Sequence, residues 1–150
     1  MTMNMRARRA RETRASAADR AALPGLEYCL YRCGMRGDEN RVIDAYVTWL
    51  ERSSWTVRRE VNFVDVYAER GDERLYAEAK GRTTSPGLDV DTLYGQLLRR
   101  MKDPKPGVRY SVVVPTSALN AALRVPDWVR DRLSIDVYEV DHVGGVHLRG

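Results

Sequence analysis

Two short alternating segments, residues 63–68 and 75–80, flank Gly71-Asp72 and narrow the folds open to this chain more than any other feature. Gly-X at the tip of such a pair suits a type II′ turn, so the segments are expected to form an antiparallel hairpin. A loop centred on Gly71-Asp72 pairs Arg70 with Glu73, so the numbers of facing residues sum to 143. The same sum sets Asp65 directly across from Glu78. Side chains alternate along a strand, so Glu78 and Lys80 share one face, while Leu75, Ala77 and Ala79 supply the apolar other face. A one-residue bulge would undo this register.

Facing carboxylates, with Cβ atoms about 4.5–5.5 Å apart, repel unless something compensates them. A divalent cation is one compensation. Mg²⁺ (or Mn²⁺) commonly takes one or two carboxylates and fills its other positions with water and substrate phosphate. Such an ion polarises a phosphoryl oxygen and acidifies a bound water. Lys80, diagonally adjacent and opposite Phe63, can orient or deprotonate that water or neutralise charge on the phosphate. The plain alternative is a surface salt bridge of Glu78 or Asp65 with Lys80 on a solvated sheet face. Glu-x-Lys alone favours that alternative, and the facing Asp65 argues for chemistry.

Two helices bear on the same point. Residues 38–52 carry an apolar stripe of Val42, Ile43, Tyr46, Val47, Trp49 and Leu50, with Asp38 as cap. Glu39 lies in line with Ile43, Tyr46 and Leu50, so it either reaches the sheet and a metal or favours the helix dipole. Residues 89–101 form a second helix with Val90, Leu93, Tyr94, Leu97, Leu98 and Met101 as its core face. Gln96, on its flank, either hydrogen-bonds a phosphate or metal-bound water or is an ordinary boundary residue. The remaining expected elements are strands at 55–61, 108–114, 135–140 and 146–148, and short helices at 116–123 and 128–133. Residues 81–88 form a loop, and 25–37 read as mixed, with Tyr28, Leu30 and Tyr31 as apolar anchors. The order is αβββαβαβ, an α/β fold with a central mixed sheet flanked by helices.

A helix with Glu39, then Trp55-Thr-Val-Arg-Arg-Glu60, Val64-Asp65, Glu78-Ala79-Lys80-Gly81 and a helix with Gln96 resembles the PD-(D/E)xK nucleases over about residues 38–115. These include restriction endonucleases and archaeal-type Holliday-junction resolvases. The resemblance implies a restriction-endonuclease-like αβββαβ core and metal-dependent DNA cleavage. It implies Asp65 and Glu78 as metal ligands, the Ala79 carbonyl as a further ligand, Lys80 as the catalytic lysine, and Glu39 and Gln96 as accessory residues. Val64 departs from the proline that usually precedes the aspartate.

At 150 residues the chain suits one domain, here 25–150, after a basic tail at 1–24 that is expected to be disordered. Hydrophobic residues at 43% and charged residues at 31% are ordinary for a globular domain, and no apolar run is long enough to span a membrane. Residues 1–20 hold six arginines and two acids, a net of +4, which is the whole chain's net charge. This arm either binds nucleic acid or another polyanion, or is a solvated leader. It lacks the apolar segment of a secretory signal, and Glu12 and Asp19 count against a transit peptide. Cys29 and Cys33 are too few for a closed zinc site and read as reduced thiols of a cytoplasmic protein, with a disulfide or shared metal as alternatives. His142 and His147 read as surface or edge-strand residues. Arg82, Thr83, Thr84 and Ser85 are candidates to hold a DNA backbone. Arg99, Arg100, Lys102 and Lys105 form a second basic cluster, either for DNA or as a helix end favouring the dipole. The expected partners are DNA and a second copy of the chain, since such nucleases often dimerise. The rival readings are a non-catalytic nucleic-acid-binding module and an assembly module on the same fold.

Overall fold

The computed structural model describes residues 24–102 and 105–150, with side chains from residue 37 onward. The Arg-rich arm and the side chains of Cys29 and Cys33 lie outside the described residues, as do those of Tyr28, Leu30 and Tyr31. The elements are α1 (Pro24–Arg52), β1 (Thr56–Val61), β2 (Val64–Arg70), β3 (Glu73–Ala79), α2 (Pro86–Arg100), β4 (Val108–Pro115), α3 (Thr116–Ala122), α4 (Asp127–Leu133), β5 (Ile135–Val140) and β6 (Val146–Leu148). The strands join in sequence order into one mixed sheet. β3, β4 and β5 run parallel, and the other neighbours are antiparallel.

The alternating pattern of residues 64–79 explains how the sheet is layered. Val66, Ala68, Leu75, Ala77 and Ala79 point to one face, where Val42, Tyr46, Val47 and Leu50 of α1 cover them. Tyr76, Tyr110, Val112, Val114, Ile135 and Val137 point to the other, beneath Val90, Leu93, Tyr94 and Leu97 of α2 and Ala118 and Ala122 of α3. The two crossovers, β3 to β4 and β4 to β5, step the same way along the sheet. The preference for right-handed connections therefore puts α2 and α3 on one face. The observed order αβββαβ, extended by αα and ββ, is the α/β architecture expected from the pattern. Among the described residues no helix is long and apolar enough to cross a membrane.

Three boundaries differ from the sequence expectation. α1 begins at Pro24 rather than at 38. Proline suits the first helical position, whereas Gly34 and Gly37 each weaken helical propensity by about 1 kcal/mol and hide the segment in the pattern. α2 likewise begins earlier, with Pro86 in its first turn, and Leu98, expected in the core, is 46% exposed. It lies off the stripe formed by Val90, Leu93, Tyr94 and Leu97. Phe63, expected in the second strand, instead stands in the β1–β2 turn.

Candidate active site

The hairpin register carries the site. Five pairs from Val66↔Ala77 to Arg70↔Glu73 keep the sum of 143, and Gly71 turns the chain with φ 58°. One step before Val66↔Ala77, at the end away from the turn, stand Asp65 and Glu78, on the face covered by α2. Their carboxyl groups are close enough to hydrogen-bond each other. Asp65 Oδ2 also accepts the Ala79 amide at 2.7 Å.

Burial dominates the electrostatics of both acids. Glu78 is only 4% exposed, and burial first, then the Asp65 charge, push its carboxyl up to about 7. Arg100 opposes that rise. Burial also raises Asp65, with the Glu39 charge adding to it. The Ala79 amide, the hydrogen bond with Glu78 and the Lys80 charge act in the opposite direction. Two carboxylates this close resist simultaneous ionisation.

Lys80 follows the last residue of β3, its amide bonded to Val113 O at 2.9 Å. Its Nζ donates to Glu39 Oε2 at 3.0 Å, and both side chains are about one-third exposed (33% and 34%) at the rim. Gly81 makes this meeting possible. A Cβ there would lie 2.5 Å from Glu39 N and 2.8 Å from Glu39 Cα, so only a bare backbone lets α1 approach the strand end. The Arg82 amide donates to Asp38 Oδ2, and Arg41 Nε pairs with Asp38 at 3.3 Å, fastening the same joint.

The fold therefore brings Asp65, Glu78, Ala79, Lys80 and Glu39 into one neighbourhood. Glu39 serves there as the partner of Lys80, and Ala79 through its amide. Gln96 is half-buried on α2, one turn before Arg100, and makes no hydrogen bond to either acid. The expected DNA contacts separate. Thr83 spends its hydroxyl locally, donating to Asp89 in the first turn of α2 and accepting the Ser85 amide at 3.2 Å, while the Arg82, Thr84 and Arg99 side chains are at the surface. Arg100 turns inward instead. Its Nε lies 3.5 Å from Glu78 Oε1, and its Nη2 donates to Phe63 O at 2.8 Å. The sequence marks Arg100 as a candidate DNA contact, and its place as the counter-cation of Glu78 is what that reading missed. Its signal was its place four residues after Gln96, on the helix that covers the acids. His142 and His147 are exposed, as expected, and His147 Nε2 sits 2.9 Å from Asp141 Oδ2.

Backbone strain is concentrated beside the acids. β1 pairs with β2 at Arg59↔Val66 and Val61↔Val64, and Glu60, which the register sets opposite Asp65, has φ 53°. Asn62 and Phe63 follow at 53° and 65°. Left-handed backbone at non-glycine residues is uncommon and gathers at functional sites.

The residues present fit a hard divalent ion that keeps most of its waters. Glu78 Oε1 is buried without a hydrogen-bond partner, although Arg100 stands at ion-pair distance. Asp65 adds a second oxygen donor. Among the described residues no three His, Cys, Asp or Glu side chains gather as a metal-ligand group, so water and substrate oxygens would fill most of such an ion's positions.

A solved crystal structure shares this arrangement of helices and sheet. The crystal structure of an fdxN element excision controlling factor protein from Anabaena variabilis matches with a TM-score of 0.50 and 16% identity, over 72% of this chain and 96% of that one. The likeness is one of fold. An XisH family protein from Nostoc punctiforme PCC 73102 gives a TM-score of 0.49 at 16% identity, over 73% of this chain and 99% of that one. No protein-family model matches the chain, and no curated protein matches its sequence.

Proposed function

We propose that the chain is a PD-(D/E)xK-type nuclease that hydrolyses phosphodiester bonds of DNA with Mg²⁺ or Mn²⁺. The observation that carries this reading is the pair of adjacent, interacting carboxyl groups, Asp65 and Glu78, with Lys80 at the same strand end. Glu78 is buried and Asp65 half-buried, with one arginine 3.5 Å from Glu78 and the nearby lysine paired with Glu39, so the two acids serve stability poorly and a function that needs both is the economical explanation. Asp65 and Glu78 would hold the ion, with the Ala79 carbonyl beside them. When bound, the ion supplies Lewis-acid polarisation of the phosphoryl oxygen and a more acidic water. Lys80 Nζ, steadied by Glu39, is placed to hold the attacking water or to meet the negative charge that builds on the phosphate. The Ala79 amide keeps Asp65 Oδ2 in place. The Anabaena variabilis protein of the same fold is named for controlling the excision of the fdxN element, a setting in which strand breakage of this kind would have a use.

The test is divalent-dependent cleavage of duplex, branched and single-stranded DNA. Asp65→Ala and Glu78→Ala are expected to abolish cutting, and Lys80→Ala to lower it about 100-fold or more. Cutting that persists undiminished in all three variants would remove the assignment. One observation favours a second reading, a non-catalytic DNA-binding module: Arg100 already stands as a cation on Glu78. DNA binding without cleavage at any Mn²⁺ concentration would select it.

A further inference from the structure

The β1–β2 turn holds a residue that folding does not explain. Asn62 and Phe63 both have positive φ, between the paired Val61 and Val64, as in a two-residue type I′ hairpin turn. Glycine is favoured at the second of these positions, and a bulky ring with φ 65° there is an outlier. Phe63 is also 85% exposed, so burial does not offset the strain. The ring borders a cleft of about 410 Å³. Tyr76 and Tyr110, stacked at 5.7 Å and 24°, form part of its wall, and Arg99 and Lys105 bring cations to it. Arg100 lies 5.6 Å from the Phe63 ring centre and reaches Glu78 at its other side, so the cleft adjoins the acid pair through one side chain.

Aromatic faces beside cations bind unpaired strands, because an unstacked base offers a π surface while its phosphates meet the positive charge. A continuous duplex keeps its bases stacked and offers no such face. We propose that this cleft receives an unpaired nucleotide of DNA, its base against Phe63 and Tyr76 and its phosphate toward Arg99 and Lys105. The inference rests on the reading of the chain as a DNA nuclease and adds a substrate class to it: DNA with an unpaired nucleotide next to the cut.

Fluorescence anisotropy of the full chain in EDTA, where no cutting occurs, separates the two ideas. The probes are labelled oligothymidylate, oligouridylate and a blunt mixed-sequence duplex. Phe63→Gly is expected to melt at or above the wild-type temperature, because glycine accepts the turn, yet to bind oligothymidylate about 5- to 150-fold more weakly. Duplex affinity should stay unchanged, and Phe63→Tyr should bind as wild type. A matching loss on oligouridylate extends the site to unpaired strands of either sugar, and a loss confined to oligouridylate overturns the DNA assignment. Equal oligothymidylate binding by wild type and Phe63→Gly overturns the proposal, as does an equal loss on the duplex. If Asp65→Ala abolishes cutting while Phe63→Gly binds normally, the nuclease reading survives without this one. If binding depends on Phe63 in a chain that never cuts, the reverse holds.

Discussion

Glu78 stands at about 7 because burial acts first and the Asp65 charge adds to it. A carboxyl held above its ordinary 4.5 keeps a proton in the folded chain that the unfolded chain has already released. Between those two values each rise in pH therefore favours unfolding: the contribution is full below 4.5 and is lost as pH climbs through about 7. At 1.36 kcal/mol per pK unit the loss is about 3 kcal/mol, and Asp65, also raised, has the same sign. Thermal melts at pH 5 and pH 8 should show the wild type less stable at pH 8 and a clearly smaller slope in Glu78→Gln, where Asp65 alone contributes. A wild-type slope that survives undiminished in Glu78→Gln would contradict this account. Mn²⁺ at pH 8 should return stability to the wild type, by about 2.7 kcal/mol at a hundredfold excess over its Kd, and not to Asp65→Ala.

The contact between α1 and the end of β3 turns on one missing side chain. Gly81→Ala would place a methyl 2.5 Å from backbone that cannot swing aside, so α1 or the strand end must shift. The expected result is a loss of about 1–3 kcal/mol in denaturant melts, together with weaker cutting as Glu39 and Lys80 part. Gly95→Ala is the control: nothing lies within 4 Å of its Cβ position, so it should stabilise α2 by about 0.5–1 kcal/mol. Equal behaviour of the two variants would remove the joint from the argument. These elements differ in how plainly the sequence announces them. The β2–β3 hairpin is legible because a turn centred on Gly71-Asp72 dictates every partner, including Asp65 and Glu78, and the α2 stripe is legible because Val90, Leu93, Tyr94 and Leu97 keep one helical face. The first half of α1 is masked by Gly34 and Gly37, and the β1–β2 turn by Phe63 where a glycine would mark it. The inward turn of Arg100 onto Glu78 escapes for another reason. Helical spacing locates Arg99 and Arg100 at one helix end, but only the packed position of Glu78 decides which of them turns inward.

Over the whole molecule, charge is divided between an arm and a balanced remainder. Residues 1–20 carry +4 and residues 21–150 carry none on balance. The acids at the proposed centre repel a phosphate backbone on approach, so the remainder has little long-range attraction for DNA to offer. Affinity for duplex should then come largely from the six arginines of the arm, through release of ions condensed on the DNA. Each phosphate neutralised contributes about 0.9 to the slope of log K against log salt. Deleting residues 1–20 is therefore expected to flatten that slope by up to about 5, if every arginine of the arm meets a phosphate. The truncated chain retains Asp65, Glu78 and Lys80, so its cutting rate at saturating DNA should stay near that of the full chain while the DNA concentration needed rises. Titrations at several salt concentrations read the slope, and single-turnover cleavage reads the rate. An unchanged slope would mean that the arm leaves DNA alone and that the attraction lies in the body, with the Arg99–Lys105 cluster the first place to look.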